Sequence, residues 1–152
     1  MAIETVLVAV GEADADRTAS LARTAIDIAG PAGATVKLAH VFTGSSYRDL
    51  KEKLEFGPSS EVTPDTVAKR HVTIRTIGDA LEAADVPFTA HGVVADDRDE
   101  GSEIVSLAVG LDADLVIVGG RKRSPTGKAV FGSTAQEVML NAPCPVTFVR
   151  SE

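Results

Sequence analysis

The stretch LVIVGGRKRSPTGKAVFGST, residues 115–134, decides which fold the sequence predicts. Four apolar residues run directly into Gly119 and Gly120, a pattern typical of a buried parallel strand that ends at a loop. The loop is rich in basic residues and glycine, and it closes on GST, residues 132–134, where a helical pattern begins. The stretch therefore predicts a strand, a glycine-containing loop and a helix N-terminus in succession.

The rest of the chain alternates short apolar segments with amphipathic ones in the same way. Gly30 and Pro31 are expected to end the first helix, and Thr63 is expected to cap the second, with Pro64 in its first turn. The predicted strands cover 3–10, 34–42, 88–94, 115–120 and 145–149; the predicted helices cover about 15–29, the stripe from Thr63 to Leu81, the repeat from Ile104 to Leu111, and 132–141. Residues 43–63 are expected to be a mobile connection with a short helix over Tyr47–Leu54.

Strands that alternate with helices predict a parallel sheet with helices on both faces. Because the crossovers are right-handed, few topologies remain, and we expect an open five-stranded α/β sheet with strand order 3-2-1-4-5. The length of 152 residues suits one compact domain, so residues 1–152 are expected to form a single domain.

The composition excludes several classes of protein. No apolar run approaches the ~20 residues that span a bilayer, and the N-terminus lacks the pattern of a signal peptide, so we expect a cytoplasmic protein. The net charge of −7 argues against nucleic acid or an anionic membrane as a partner. This acidic balance suits a salt-loving host and, equally well, an ordinary acidic soluble protein.

The topology itself predicts where a ligand binds. In an open α/β sheet the site lies beyond the carboxyl ends of the strands, where the strand order reverses. In the order 3-2-1-4-5 that point lies between strands 1 and 4. The segments that end there are Val10-Gly11-Glu12 and Val118-Gly119-Gly120-Arg121.

The chemistry of the 115–134 stretch suits an anion. Glycines let backbone N–H groups approach a phosphate, and the helix that starts at 132–134 offers free N–H groups and a favourable dipole. The loop also gathers four of the chain's 15 Lys and Arg residues, namely Arg121, Lys122, Arg123 and Lys128. We therefore favour phosphate binding over the alternative of a solvated basic loop with glycines as turn residues.

The whole chain resembles the universal stress protein family. The resemblance rests on TVLVAV at the first strand, ADLVIVGG with its glycine loop ending in GST, and the closing NAPCPVTFVR. It implies ATP, with or without Mg²⁺, as the ligand. It further implies that Ala9, Val10 and Val41 border the base, and that Arg121, Gly132, Ser133 and Thr134 hold phosphates.

The chain departs from the family's ATP-binding motif at two positions. The motif runs glycine, two residues, glycine, nine residues, glycine and then Ser or Thr. Gly119 and Gly132-Ser133 match it, but Lys122 replaces the second glycine, and Gly11 replaces the aspartate that meets adenosine. Either Glu12 or Asp14 could supply the missing acid.

The resemblance also implies a homodimer through the last strand, since family members commonly pair this way. Strand five is expected at the sheet edge, and unpaired edges invite another chain. The predicted contact residues are Val146, Phe148 and Val149.

The sequence contains no convincing catalytic set. We interpret Cys144 as a packed apolar side chain, and His40 as a packed histidine rather than one at the mouth of a pocket. The acidic cluster of Asp96, Asp97, Asp99 and Glu100 is interpreted as a solvated loop rather than a cation site. Three hypotheses remain: a regulatory protein that binds adenine nucleotide and hydrolyses it slowly at most, an interaction module without nucleotide, and an adenine-nucleotide hydrolase.

Overall fold

The chain forms an open five-stranded parallel sheet, as the sequence predicts. The computed structural model describes residues 2–53, 62–95, 100–120 and 132–150. The strand order is β3-β2-β1-β4-β5 and every pairing between neighbours is parallel. The strands are β1 Thr5–Val10, β2 Thr35–Phe42, β3 Phe88–Val94, β4 Leu115–Gly120 and β5 Val146–Arg150.

Helices cover both faces of this sheet. The helices within the described ranges are α1 Thr18–Ala32, α2 Gly44–Lys53, α3 Pro64–Arg70, α4 Val72–Ala83, α5 Glu100–Gly110 and α6 Ser133–Asn141, and a 3₁₀ turn covers Glu12–Asp16. None of these helices combines the length and apolar character that a membrane crossing requires.

The two faces bury separate apolar clusters, because side chains alternate between the faces along each strand. On one face α1 and α4 pack Leu21 and Ile77 against Val8 and Ile117. On the other face α5 and α6 pack against the intervening strand residues. The strand-order reversal between β1 and β4 therefore lies between α1 on one face and the α5–α6 pair on the other.

The first helix continues further than the sequence predicts. Pro31 lies inside α1, which ends at Ala32 with Gly33 in the left-handed conformation at φ 69°. A proline disfavours a helical residue before it through clashes with that residue's backbone N–H and its Cβ, and Gly30 has no Cβ. The expectation that Gly30 and Pro31 end the helix is therefore wrong by one turn, and Gly33 provides the actual C-terminus.

The second predicted helix is divided at His71. Thr63 caps α3 as expected, since its side chain accepts a hydrogen bond from the backbone N of Thr66. His71 then adopts an extended backbone, and its Nδ1 accepts a hydrogen bond from the backbone N of Thr73 at 3.2 Å, which caps α4. The short helix predicted over Tyr47–Leu54 is α2, which begins at Gly44; Leu54 lies outside the described residues.

His40 is part of the core rather than the ligand pocket. It is fully buried in β2, with its ring centroid 4.0 Å from that of His71 and 4.4 Å from that of Phe42. Neither ring nitrogen has a hydrogen-bond partner among the described residues. Burial, with a smaller effect from the nearby His71, lowers the pKa of His40 to about 3. The packed reading of His40 is confirmed.

This buried histidine predicts acid sensitivity. His40 stays neutral in the folded protein, whereas in the unfolded chain it takes up a proton below its ordinary pKa of 6.5. Above that pH the neutral His40 therefore does not destabilise the folded protein. The free energy of unfolding then decreases progressively as the pH falls toward 3. By about pH 5 this group alone lowers the free energy of unfolding by about 2 kcal/mol. Urea denaturation at several pH values from neutral down to about pH 4.5 measures how the free energy of unfolding depends on pH, which is the pH slope.

The matched variants are His40→Leu and His91→Leu. We expect His40→Leu to reduce the pH slope clearly and His91→Leu to change it much less, because His91 is partly exposed and hydrogen-bonded to Thr89. Equal slopes in His40→Leu and the parent protein would contradict this account.

Candidate functional site

A cavity of about 510 Å³ lies at the carboxyl end of the sheet, between β1 and β4. This is the point where the strand order reverses, so the cavity occupies the position that the topology predicts. Six described segments border it: the end of β1 with the 3₁₀ turn, the end of β2, the residue after β3, α5, the end of β4, and the start of α6. Its apolar wall consists of Ala9, Ala13, Val41, Phe42, Ala95, Ile104, Val118 and Ala135; Gly11, Glu12, Asp14, Arg17, Thr43, Glu100, Gly119, Gly120, Gly132, Ser133 and Thr134 complete the lining.

Most of the predicted site residues meet at this cavity. Those that line it are Ala9, Gly11, Val41, Val118, Gly119, Gly120, Gly132, Ser133 and Thr134. Val10 does not, because its side chain is fully buried in the apolar cluster on the opposite face of the sheet. Arg121 and Lys122 lie outside the described residues, as do Arg123 and Lys128.

A buried ion pair forms one wall of the cavity. Arg17 Nη1 lies 3.2 Å from Asp14 Oδ1, and both residues are nearly inaccessible to solvent. Arg17 Nη2 donates to the carbonyl oxygen of Ala13 at 3.0 Å. Nε and Nη1 have no hydrogen-bond partner among the described residues, so the short Nη1–Oδ1 distance is a misaligned ion pair rather than a hydrogen bond.

Asp14 also fixes the backbone at the end of β1. Its Oδ2 accepts a hydrogen bond from the backbone N of Gly11 at 2.7 Å. Burial raises the pKa of Asp14, and the Gly11 hydrogen bond and the Arg17 charge oppose that rise. The carboxyl group therefore holds the turn after β1 against the helix that follows it.

Gly119 is required where the ion pair crosses β4. A Cβ at residue 119 would lie 2.7 Å from Asp14 Oδ1 and 2.8 Å from Arg17 Cδ. A Cβ at Gly120 would meet the ring of Phe148 on the other face. The two glycines thus let side chains from both faces pack directly on the backbone at the end of β4.

The N-terminus of α6 forms the polar end of the cavity. Gly132 precedes this helix with φ −64° and ψ 160°, and no side chain of the described residues caps the helix. Its first backbone N–H groups therefore have no partner within the helix, which suits a negatively charged group.

Glu100, the first residue of α5, reaches this end of the cavity. Its Oε2 accepts a hydrogen bond from the hydroxyl of Thr134 at 3.3 Å. Its Oε1 lies 3.1 Å from where a Cβ of Gly11 would stand. The reading of Glu100 as part of a solvated loop is therefore wrong, since this residue lines the cavity; Asp96, Asp97 and Asp99 lie outside the described residues.

The remaining reactive groups lie apart from the cavity. Cys144 packs against the α5–α6 cluster, and burial, together with the nearby Asp114, raises the pKa of its thiol, as suits a packed apolar side chain. Among the described residues, no three His, Cys, Asp or Glu side chains lie together as metal ligands would.

The ion pair predicts a specific energetic coupling. Arg17→Met leaves the Asp14 carboxylate buried without its counter-charge and should lower the free energy of unfolding by about 3 kcal/mol. Asp14→Asn should lower it similarly, because it leaves a buried guanidinium unpaired. In the double variant both charges are gone, so the loss should be clearly smaller than the sum of the two single losses. Urea denaturation of the four proteins measures the coupling, and additive losses would show that the two side chains do not depend on each other.

The chain matches proteins of one family over nearly its whole length. Residues 2–150 match the sequence profile of the Universal stress protein family. A universal stress protein of Mycolicibacterium smegmatis is 37% identical over 70 residues, which cover 46% of this chain and 52% of that protein. The chain therefore matches about half the length of this relative.

Solved structures give the same result for the fold. A universal stress protein from Archaeoglobus fulgidus superposes with a TM-score of 0.70 at 27% identity, covering 96% of this chain and 98% of that one. A universal stress protein from Archaeoglobus fulgidus in complex with dAMP superposes with a TM-score of 0.65 at 21% identity, covering 98% and 99%. The parallel sheet, the strand order and the matched profile agree, and the chain belongs to the universal stress protein family.

Proposed function

We propose that this protein is a stress-response regulator that binds an adenine nucleotide in the cavity between β1 and β4. The observation that carries the proposal is the convergence of nine predicted site residues, from four separate segments, on one cavity. Because ligands bind at the strand-order reversal in sheets of this kind, the position of the cavity supports the same role.

The two ends of the cavity differ in a way that suits a nucleoside phosphate. Val41, Ala95, Ile104 and Val118 give one part an apolar wall that can accept a flat base. At the polar end of the cavity, the start of α6 offers backbone N–H groups and the Ser133 hydroxyl, which can donate hydrogen bonds to a phosphate. The dAMP bound by the Archaeoglobus fulgidus protein supports an adenine nucleotide as the ligand class.

Asp14 is proposed to replace the family's aspartate, which is absent at Gly11. Asp14 lines the cavity and its Oδ2 holds the backbone N of Gly11. An acid is thereby present beside the end of β1, although it comes from three residues later in the chain. Glu12 lines the same cavity and is the second acid at this position.

The proposed role is binding rather than turnover, with slow ATP hydrolysis as its upper limit. ATP, with or without Mg²⁺, is the ligand that the motif predicts. A cytoplasmic location and a single domain over residues 1–152 remain predictions from the sequence. A second candidate, a dimeric interaction module without nucleotide, is favoured by the two departures from the ATP-binding motif, Gly11 and Lys122.

Substitutions at the start of α6 test nucleotide binding. Gly132→Val places a branched side chain before the free N–H groups and should weaken binding of AMP and ATP by at least about tenfold. Ser133→Ala removes one donor and should weaken binding by about three- to tenfold. Calorimetric titration with each nucleotide, with and without Mg²⁺, measures both effects.

The matched control is Gly110→Val. A Cβ at either Gly132 or Gly110 would meet no described atom within 4 Å, but Gly110 lies at the far end of α5, away from the cavity. Gly110→Val should therefore bind as the parent does. If Gly132→Val and Ser133→Ala also bind as the parent does, the proposed site is wrong; if the folded parent binds no nucleotide, the interaction-module alternative is favoured.

We also propose a homodimer through β5. This strand pairs only with β4 in the described sheet, so its other side is an open edge. Val146 and Phe148 are partly exposed, and Val149 is buried. Two such edges can pair with each other around a two-fold axis, as exposed sheet edges commonly do.

Val146→Pro tests this edge without breaking the sheet. Pro145 O accepts from Val116 N at 3.0 Å, so in a parallel ladder the N–H of the next residue, Val146, points to the open edge. Val146→Pro should therefore shift a dimer toward monomer while the melting temperature stays close to that of the control Val146→Thr. Sedimentation equilibrium measures the mass; a monomeric parent, or a dimeric Val146→Pro protein, would contradict the proposed interface.

A further inference from the structure

The outer edge of β3 has two residues that can pair with another strand. Val36 N donates to Pro87 O at 2.9 Å, and residues along a parallel strand alternate in the side to which their N–H and C=O groups point. The backbone groups of Phe88 and Ala90 therefore point away from β2, and neither residue forms another hydrogen bond within the described part of the chain. This short stretch of edge can exchange hydrogen bonds with an added strand.

The next part of the same edge is already covered. The backbone N of Gly92 also points outward, and it donates to Asp65 Oδ1 at 2.8 Å. The backbone of Pro64, at the start of α3, lies directly against Gly92 and leaves no room for a side chain there. An added strand can therefore pair with β3 at Phe88 and Ala90 but not at Gly92, which limits the contact to a short segment.

A groove of about 200 Å³ lies beside Phe88 and Ala90, on the face of the sheet that α4 covers. These two residues form one side of the groove, and Ile74 and Gly78 of α4 form the other. The volume is below the roughly 300–1,000 Å³ of typical ligand pockets and suits a single apolar side chain. Because one side of the groove belongs to the strand edge, an added strand can place a side chain in it while its backbone pairs with β3.

Charged side chains form the exposed rim of the groove. Lys69 of α3 and Arg75 of α4 are cations, and Asp79 is the one acid among the described lining residues. Neither cation forms an ion pair with a described residue. The described rim therefore has a net positive charge in a chain whose net charge is −7, and it favours a segment with acidic side chains on either side of its apolar one.

The two edge strands of this chain do not supply such a segment. β3 has the sequence FTAHGVV and β5 has the sequence VTFVR, and neither contains an acidic residue. A second copy that paired through either strand would bring no carboxylate from that strand to Lys69 or Arg75. The chemistry of the groove therefore favours a different protein as its occupant.

We propose that the outer edge of β3 and the groove beside it bind an extended acidic segment of a partner protein by strand addition. One apolar side chain of the segment fills the groove, and carboxylates two residues before and after it face Lys69 and Arg75, since alternate residues of a strand share a face. This surface shares no lining residue with the cavity between β1 and β4, so the proposal does not depend on nucleotide binding.

The experiment is an amide NMR titration of the isotopically labelled protein with three heptapeptides whose termini are capped. The acidic peptide is Thr-Asp-Thr-Leu-Thr-Asp-Thr, the second peptide has Lys in place of Asp, and the third has Ala in place of Leu. The proteins are the parent, the double variant Lys69→Glu with Arg75→Glu, and the matched control Arg23→Glu with Lys53→Glu. Both control residues are exposed and lie outside the groove.

The acidic peptide should shift the amide resonances of Gly78, Phe88 and Ala90 in a saturable way. The Lys69 and Arg75 double variant should bind it at least about tenfold more weakly and should prefer the Lys peptide, because its rim has the opposite charge. The parent should bind the Ala peptide at least about fivefold more weakly than the acidic one, since Ala leaves the groove unfilled. The control double variant should bind the acidic peptide within about threefold of the parent.

Ala90→Pro tests the strand addition itself. This change removes the outward N–H of residue 90 and keeps the ladder to β2, because an edge strand tolerates proline where the N–H faces outward. The acidic peptide should bind Ala90→Pro at least about fivefold more weakly than the control Ala90→Ser. Equal affinities would contradict pairing along the edge, and if Ala90→Pro does not fold, the charge-reversed variants decide alone.

Three further results would overturn the proposal. The absence of shifts with all three peptides at millimolar concentration, or shifts confined to another surface, would show that this edge binds no such segment. Equal affinity of the parent for the acidic and Lys peptides, or of both double variants for the acidic peptide, would show that the rim does not select by charge. A Val146→Pro protein that is dimeric, and that becomes monomeric when Ala90→Pro is added, would assign this edge to a second copy of the chain.

Discussion

The buried ion pair between Arg17 and Asp14, packed against the backbone of Gly119, is the interaction on which the cavity depends. It joins the turn after β1 to the end of β4, the two strands between which the strand order reverses. Asp14 also accepts a hydrogen bond from the backbone N of Gly11 at 2.7 Å, so one carboxyl group contacts both the end of β1 and the arginine that packs on Gly119. A side chain at residue 119 would separate these elements, and the cavity wall would move with them.

The charge around the cavity follows from this arrangement. Asp14 and Arg17 balance each other's charge within the cavity wall. The first N–H groups of α6 lie at the polar end of the cavity, and Glu100 contacts the same helix through the Thr134 hydroxyl. The side chains of Val41, Ile104 and Val118 form the apolar wall, so the cavity has two chemically distinct parts.

Much of the fold could be predicted because its signals are local. The apolar run before Gly119 and the helical spacing of Ile74, Ile77 and Leu81 depend only on neighbours in sequence, and they predicted a strand and a helix correctly. The alternation of such strands and helices then predicted the observed strand order. The break at His71 was missed because it depends on a capping contact of the ring nitrogen with Thr73, which no periodicity reveals. Pro31 was misjudged because Gly30 before it has no Cβ, which removes part of the usual clash.

The site was predicted where it depends on topology and missed where it depends on tertiary contacts. Gly119 and Gly132 follow from the strand-order rule and the motif. The sequence analysis did not single out Arg17, and its burial appears only when α1 packs over β4. The sequence signal that could have found it is an arginine at the start of the first helix, one turn after Asp14. Glu100 reaches the cavity because α5 begins beside α6, a contact that the sequence spacing does not show.

The most direct test of the central claim is an NMR titration of the isotopically labelled protein with AMP, followed through the backbone amide resonances. The account predicts that the largest shifts occur at Gly11, Gly119, Ser133 and Thr134, with smaller ones at Val41 and Ile104, and that the opposite face around Leu21 is unchanged. Shifts confined to another surface, or no shifts at saturating AMP, would contradict the assignment of this cavity as a nucleotide site.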